Sequence, residues 1–178
     1  MNGWQTSRMT LNNMNKITKE DLVKYLVANF KNEEGIIDLS GLNFKDEEIE
    51  GVDISGMQVG GRLNQGSQKV KGRLNQSNQE VDGNLYQGRQ NVERSIFQCD
   101  QKVGRNIFQD NQNAGKDIFQ DNQNAEWNIF QCGQKVGNNI WQDNQEVGGN
   151  LIQNKQQVGG RLISTETKGR RTNNKLTI

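Results

Sequence analysis

An eleven-residue unit recurs ten times between Val59 and Ile163 with no insertion or deletion. One row of the unit is Val59, Val70, Val81, Val92, Val103, Val136, Val147 and Val158, with Ala114 and Ala125 filling the two gaps. Four residues further on comes Leu63, then the same spacing through Ile96, Ile107, Ile118, Ile129 and Ile140 to Leu162. Two glutamine rows follow, from Gln65 to Gln153 and from Gln68 to Gln156. A unit this short cannot bury its own apolar face. Spacing this strict means that the units stack and bury one continuous core.

Composition makes sense only with stacking. Apolar residues are 31% of the chain and the mean hydropathy is −0.94. In an irregular sequence that is too little burial to offset chain entropy, and disorder would follow. In a stack, each apolar row serves the coil above and the coil below. Proline is absent, which suits unbroken backbone ladders, and twenty glycines suit tight corners.

Between residues 36 and 61 the period is five. Ile37-Asp38-Leu39-Ser40-Gly41, Leu42-Asn43-Phe44-Lys45-Asp46, Val52-Asp53-Ile54-Ser55-Gly56 and Met57-Gln58-Val59-Gly60-Gly61 each carry an apolar centre preceded by Asp, Asn or Gln. This segment resembles the pentapeptide-repeat family, whose unit is Ala-Asp/Asn-Leu-X-X. The resemblance implies that family's fold, a right-handed quadrilateral β-helix with four faces per coil.

The eleven-residue units read as a variant of that pattern. Gln68-Lys69-Val70-Lys71-Gly72 is a face of five with Gln68 and Val70 inward. Arg73-Leu74-Asn75-Gln76-Ser77-Asn78 is a face of six with Leu74 and Gln76 inward. Two units then make a coil of 22, and the extra residue widens two of the four corners. An all-β solenoid with 22 residues per coil is the expected fold. The competing reading is a right-handed coiled coil, whose hydrophobic period is also eleven. Glycine opposes it: at ~1 kcal/mol each in a helix interior, ten units would lose on the order of 10 kcal/mol.

The chain divides into four segments. Residues 1–15 are polar and Asn-rich and read as a disordered leader, with Met14 as an alternative start. Residues 16–35 hold a short amphipathic helix. Thr18 is its N-cap, Asp21 stands three residues on, and Leu22, Val23, Leu26, Val27 and Phe30 share one face. Such a helix would cap the open first coil. Residues 36–163 are the solenoid. Residues 164–178 lose the period and read as a basic flexible tail.

Little chemistry is on offer. There is no histidine, the usual general base and commonest metal ligand. Cys99 and Cys132 are three units apart at one repeat position. In a coil of 22 they lie on opposite faces, too far apart for a disulfide or joint chelation, and two free thiols suit a reducing compartment. No glycine-rich loop leads into a phosphate-binding Lys-Ser/Thr pair. Neither an enzyme nor a cofactor is expected. With no membrane-spanning run and no signal-peptide core, a cytoplasmic location is the default.

Two features remain as candidate partner-binding surfaces. The residue after the Leu/Ile row is aromatic through the middle of the stack. It splits into one row of Tyr86, Phe108 and Phe130 and another of Phe97, Phe119 and Trp141. Strand alternation puts both rows outside the core. The second feature is the acidic run Asp46, Glu47, Glu48, Glu50 and Asp53. Arg94, Arg105 and Lys116 form a basic row at a neighbouring repeat position, and inward glutamines are expected to bond to one another along the stack.

These features favour a non-catalytic binding protein that works by rigid shape. Some members of the pentapeptide-repeat family shield or inhibit nucleic-acid enzymes by imitating duplex DNA in width and charge. The resemblance therefore implies an inhibitor of a nucleic-acid-processing enzyme, of topoisomerase type for example; a short, histidine-free chain of expanding repeats also looks like a phage or mobile-element product, for which an anti-CRISPR role belongs to the same class. The expected partner is that protein, with a homodimer as a further option and no direct nucleic-acid or membrane binding. The alternative is a structural segment of a fibre, spike or filament. An ice- or glycan-binding face is disfavoured, because no threonine occurs between Thr18 and Thr165.

Overall fold

The computed structural model describes residues 18–44, 51–164 and 167–174, and within them the chain is a parallel β-solenoid behind one helix. Each coil has four short strands, and strands of successive coils stack in register. Face 1 stacks Ile37–Asp38, Leu63–Asn64, Leu85–Tyr86, Ile107–Phe108, Ile129–Phe130 and part of Gln145–Asn154. Face 2 runs from Asn43–Phe44 through Lys69–Val70 to Gln157–Val158. Face 3 runs from Gly51–Asp53 through Arg73–Asn75 to Leu162–Ile163. Face 4 runs from Gln58–Val59 through Glu80–Val81 to the start of Gln145–Asn154.

The coil repeat is 22 residues. Val70 pairs with Val92, and Leu74 with Ile96. The first coil is longer on faces 1 and 2, where Ile37 pairs with Leu63 and Asn43 with Lys69, an offset of 26. The four extra residues fall between Phe44 and Gly51, a stretch that includes 45–50 and lies outside the described residues.

Alternation decides what enters the core. Each face sends in one aliphatic residue and one glutamine: Leu63 and Gln65, Gln68 and Val70, Leu74 and Gln76, Gln79 and Val81, all buried. Every glutamine of the two rows is buried, and its amide is used. Gln87 donates from Nε2 to Gln65 Oε1 at 3.1 Å, Gln109 to Gln87 at 3.1 Å and Gln131 to Gln109 at 3.0 Å. The columns are also tied across the core, as where Gln98 Nε2 reaches Gln90 Oε1 at 3.3 Å. A third kind of bond runs to main chain, such as Gln90 Nε2 to the Gln65 carbonyl at 2.8 Å. A buried amide left alone is destabilising, but here donors and acceptors match along the stack.

The corners follow from the five-and-six division. Every eleventh residue takes a left-handed backbone: Ser67, Asn78, Arg89, Asp100, Asn111, Asn122, Asn144 and Lys155, with glycine at Gly56 and Gly133. This is the sixth residue of each long unit, and Asn or Asp there tolerates positive φ. The intervening corners are tight. At Gly83 a Cβ would lie 2.7 Å from the Gly61 carbonyl oxygen of the coil below.

The helix, Lys19–Phe30, is capped as the sequence predicts: Thr18 accepts the Asp21 N–H. It buries Leu26 against the first coil, with Leu22, Val23, Tyr25, Val27 and Phe30 packed alongside. It ends before Gly35, because Lys31 turns extended and bridges Ile37 while Asn32 Oδ1 accepts the N–H groups of Glu34 and Ile36. The far end differs from a frayed tail. Thr167–Asn174 is a strand paired in parallel with Gln145–Asn154, with a register shift between Glu146 and Asn150. The exposed ladder groups of that long strand can be met by any segment that follows, whether or not it keeps the repeat.

Candidate binding surfaces

The six aromatic residues form two ladders on opposite sides of the solenoid. On face 1, Tyr86 stacks on Phe108 at 4.7 Å between ring centroids, and Phe108 on Phe130 at 4.9 Å. On face 3, Phe97 stacks on Phe119 at 4.9 Å, and Phe119 on Trp141 at 6.1 Å. The rings are parallel to within 9°. Strand pairing places them so: identical positions 22 residues apart must sit about one strand spacing, ~4.8 Å, from each other. The rings lie outside the core, as alternation predicts. They are half-buried because each covers its neighbours, and what solvent meets is a ridge of ring edges on a flat backbone.

Of the five acidic candidates the structure describes Asp53 alone. Asp46, Glu47, Glu48 and Glu50 lie outside the described residues. Asp53 stands at the start of face 3, half-buried, and its carboxylate accepts the Ser55 N–H at 2.9 Å and the Asn75 amide at 3.2 Å. It is held as a corner brace.

The basic row divides. Arg94 and Lys116 share the corner between faces 2 and 3, where the Lys116 N–H meets the Arg94 carbonyl. Arg105 belongs to the corner between faces 4 and 1, with its guanidinium 5.5 Å above the centre of the Trp127 ring. Trp127 itself escaped the sequence reading because it stands alone in its row. It is 53% exposed, the one large hydrophobic side chain so exposed among the described residues. Its backbone is followed in the column by Gly149, so no side chain covers it from the next coil.

A second feature that the coil length makes legible is a carboxylate edge. Asp100, Asp121 and Asp143 occupy the corner between faces 3 and 4 in successive coils. Asp121 accepts the Asp143 N–H at 2.9 Å, and Asp100 accepts the Asn122 amide at 2.9 Å. Burial pushes the Asp121 carboxyl above the usual carboxylate range; the Asp143 N–H partly opposes this, and the charges of Asp143 and Asp100 add to the rise. Face 4 is laid out differently: its outward charges alternate and pair, Lys102 with Glu80 at 3.3 Å and Lys168 with Glu146 at 2.8 Å.

The described residues hold no cluster of three or more His, Cys, Asp or Glu placed to bind a metal. Cys99 and Cys132 are both free thiols, at corners that follow faces 3 and 1 respectively, and Cys132 Sγ donates to the Ile152 carbonyl at 3.7 Å. Burial pushes the Cys99 thiol up to about 11, so little thiolate exists at neutral pH, and the Cys132 thiol is raised for the same reason. A groove of about 410 Å³ beside face 4 is lined by polar and charged groups such as Asp100, Lys102, Asn124, Asn144 and Glu146. No described helix is long and apolar enough to cross a membrane. Compared with known proteins, the chain matches no family model, no curated protein and no solved structure.

Proposed function

We propose that this chain is a non-catalytic protein-binding rod and that its partner is a nucleic-acid-processing enzyme. The observation that carries the reading is the pair of aromatic ladders. Each is a straight apolar ridge on a face whose backbone is locked by in-register pairing on both sides. Such a surface loses little entropy on docking, and aromatic side chains are the groups that dominate protein interfaces. The partner class rests on the resemblance of residues 36–61 to the pentapeptide repeat and on rod dimensions. The five coils from Val59 to Val147 and beyond span roughly 24 Å at ~4.8 Å per coil. That is the length of about seven base pairs at ~3.4 Å each.

The rod's charge is far below that of a duplex, so imitation by charge alone does not hold it in a DNA-binding groove. In this reading Asp46, Glu47, Glu48, Glu50 and Asp53 steer the rod to a basic groove and the ladders hold it there. An inhibitor of a host nuclease or topoisomerase, from a phage or mobile element, is the biological form that fits. The test is affinity capture from lysate with and without nuclease treatment. Wild type, E47Q/E48Q/E50Q and F108A/F130A are then compared for binding to the recovered enzyme across salt. The acidic variant should lose its salt dependence and the aromatic variant its affinity; unaltered binding by both, or recovery of no nucleic-acid enzyme, rejects the reading.

A structural role is the second reading. Among the described residues Gln157–Val158 and Leu162–Ile163 are the outermost strands of faces 2 and 3, so the stack ends there with its ladder unfinished. A fibre segment would extend from that end. Electron microscopy of the purified chain distinguishes it, since a fibre segment forms filaments without a partner.

A further inference from the structure

Face 3 differs from the other faces in what stands along its two edges. On the edge toward face 2 are the exposed side chains of Arg73, Arg94, Lys116 and Arg161, with Glu93 and Asp117 as the carboxylates among them. On the edge toward face 4 are Asp100, Asp121 and Asp143, with no cation among the described residues of that corner; Lys102 and Lys168 line the groove beside Asp100 on face 4. The Phe97, Phe119 and Trp141 ladder runs between the two edges. Face 1 has the same kind of ladder but no such polarity: its edge toward face 4 mixes Arg62, Asp82, Arg105 and Glu126 around an amide column in which Asn106 donates to Asn84, Asn128 to Asn106 and Asn150 to Asn128. The ion pairs Lys102–Glu80 and Lys168–Glu146 lie on face 4, and Arg94, Lys116, Asp100 and Asp121 take part in neither.

We propose that face 3 is the contact between two copies of this chain, lying side by side with their axes parallel and related by a two-fold axis that runs along the rods. The symmetry follows from the charges. Rotation about an axis parallel to the rod carries the basic edge of one copy opposite the acidic edge of the other, on both sides of the contact. Rotation about an axis perpendicular to the rod, which makes the rods antiparallel, sets basic edge against basic edge and acidic against acidic. Opposite-charge matching of this kind decides orientation, and like charges across an interface oppose it.

The coil geometry then sets the height of each pair. Arg94 and Asp100 flank the strand Ile96–Phe97, and Lys116 and Asp121 flank Ile118–Phe119. With axes parallel, Lys116 of one copy stands level with the partner's Asp121, and Arg94 with the partner's Asp100. Ladder meets ladder along the centre and removes both ridges from water. A cation beside Asp121 also relieves a carboxylate that burial and its own column disfavour. The contact is isologous, so it closes at two copies and builds no filament. It goes beyond the function proposed above and leaves face 1 free for another protein.

Sedimentation equilibrium at low salt reads the outcome directly. The wild-type chain of 20.2 kDa should sediment at twice that mass, and R94E/K116E, which makes both edges acidic, should be monomeric. D100K/D121K makes both edges basic and should also be monomeric. Lysine is compatible with the backbone at Asp100, because Lys155 and Arg89 hold the same left-handed corner elsewhere in the stack. Mixing the two variants, or combining all four substitutions in one chain, should restore the dimer. F108A, on face 1, should leave it intact. Each single-edge variant should weaken dimerisation by about tenfold or more. Should Asp121→Lys unfold the corner, Asp100→Lys alone takes its place in the mixture. A monomeric wild type, an R94E/K116E variant that dimerises like wild type, or folded variants that fail to rescue each other overturns the proposal.

Discussion

Faces 1 and 3 and faces 2 and 4 share one interior plan and have opposite exteriors. All four send in an aliphatic residue and a glutamine. Faces 1 and 3 place Leu or Ile inside and Tyr, Phe or Trp outside in their central coils, whereas faces 2 and 4 place Val or Ala inside and Lys, Asn or Glu outside. An Ile-Phe strand is apolar on both sides, the composition of a parallel strand that is covered on both faces; a Lys-Val strand is that of a sheet with one wet face. The stack closes equally well with either. The outer rows are therefore less constrained by folding than the inner ones, and the apolar ones are the surfaces that the proposed partner or the proposed second copy would cover.

The largest effect should come from the interior that all faces share. Gln109 donates to Gln87 and Gln101 and accepts from Gln120 and Gln131. Gln109→Glu removes the donor and adds a buried acid, and should destabilise by more than ~3 kcal/mol in urea denaturation. A small loss would mean that water reaches the columns.

Next comes the aliphatic row, where the two face types should part. Ile118→Ala on face 3, fully buried, should lose ~2–5 kcal/mol. Val103→Ala on face 4 should lose about 1–2 kcal/mol, from ~0.8 per buried carbon. Ala114 and Ala125 already stand in the Val row, so that row tolerates the smaller side chain. Equal losses would erase the distinction between the faces.

Outside the core the effects should shrink further and still differ by face. Phe108→Ala removes two stacked contacts, at ~0.5–1.5 kcal/mol each, and should lower stability by about 1–3 kcal/mol. Lys135→Ala on face 2 should stay within ~0.5 kcal/mol. If Phe108→Ala leaves both stability and partner binding unchanged, the ladder is ornament.

The smallest effect is electrostatic. Because the folded chain raises the Asp121 carboxyl above its ordinary value, folded Asp121 holds its proton more tightly than unfolded Asp121. Its charged form therefore works against folding above the carboxylate range, and the penalty fades as the pH falls through that range. In the monomer, held apart by R94E/K116E, Asp121→Asn should raise the melting temperature slightly at pH 7 and not at pH 3, with the amide oxygen still able to accept the Asp143 N–H as Asn139 does for Arg161. A lower melting temperature at pH 7 would show that the carboxylate itself holds the corner.

Much of this architecture is present in the order of residues. The eleven-residue period, with Val and Leu four apart and Gln two and five beyond, determines by itself which side chains enter the core, because strand alternation admits one such phase. It also determines that the glutamines must find their partners among one another and the main chain, since no other long polar side chain comes inside with them. The six aromatic candidates and their division into two rows follow from the same count. Trp127 was hidden because a lone residue has no period. The strand Thr167–Asn174 was hidden because strand pairing at an open edge uses backbone, which no side-chain pattern announces.

The closed coil decided the rest. A period of eleven is compatible with one unit per coil or with two, and the five-and-six division reads as two; closure with four corners, two of them left-handed, bears that out. That choice splits Arg105 from Arg94 and Lys116, sets Arg105 over Trp127, and gathers Asp100, Asp121 and Asp143 on one corner. It places opposite charges on the two edges of face 3. Sequence spacing specifies in or out through the pleat, which is local; which outward side chains meet around a rod depends also on where each corner turns, and only the closed coil fixes that.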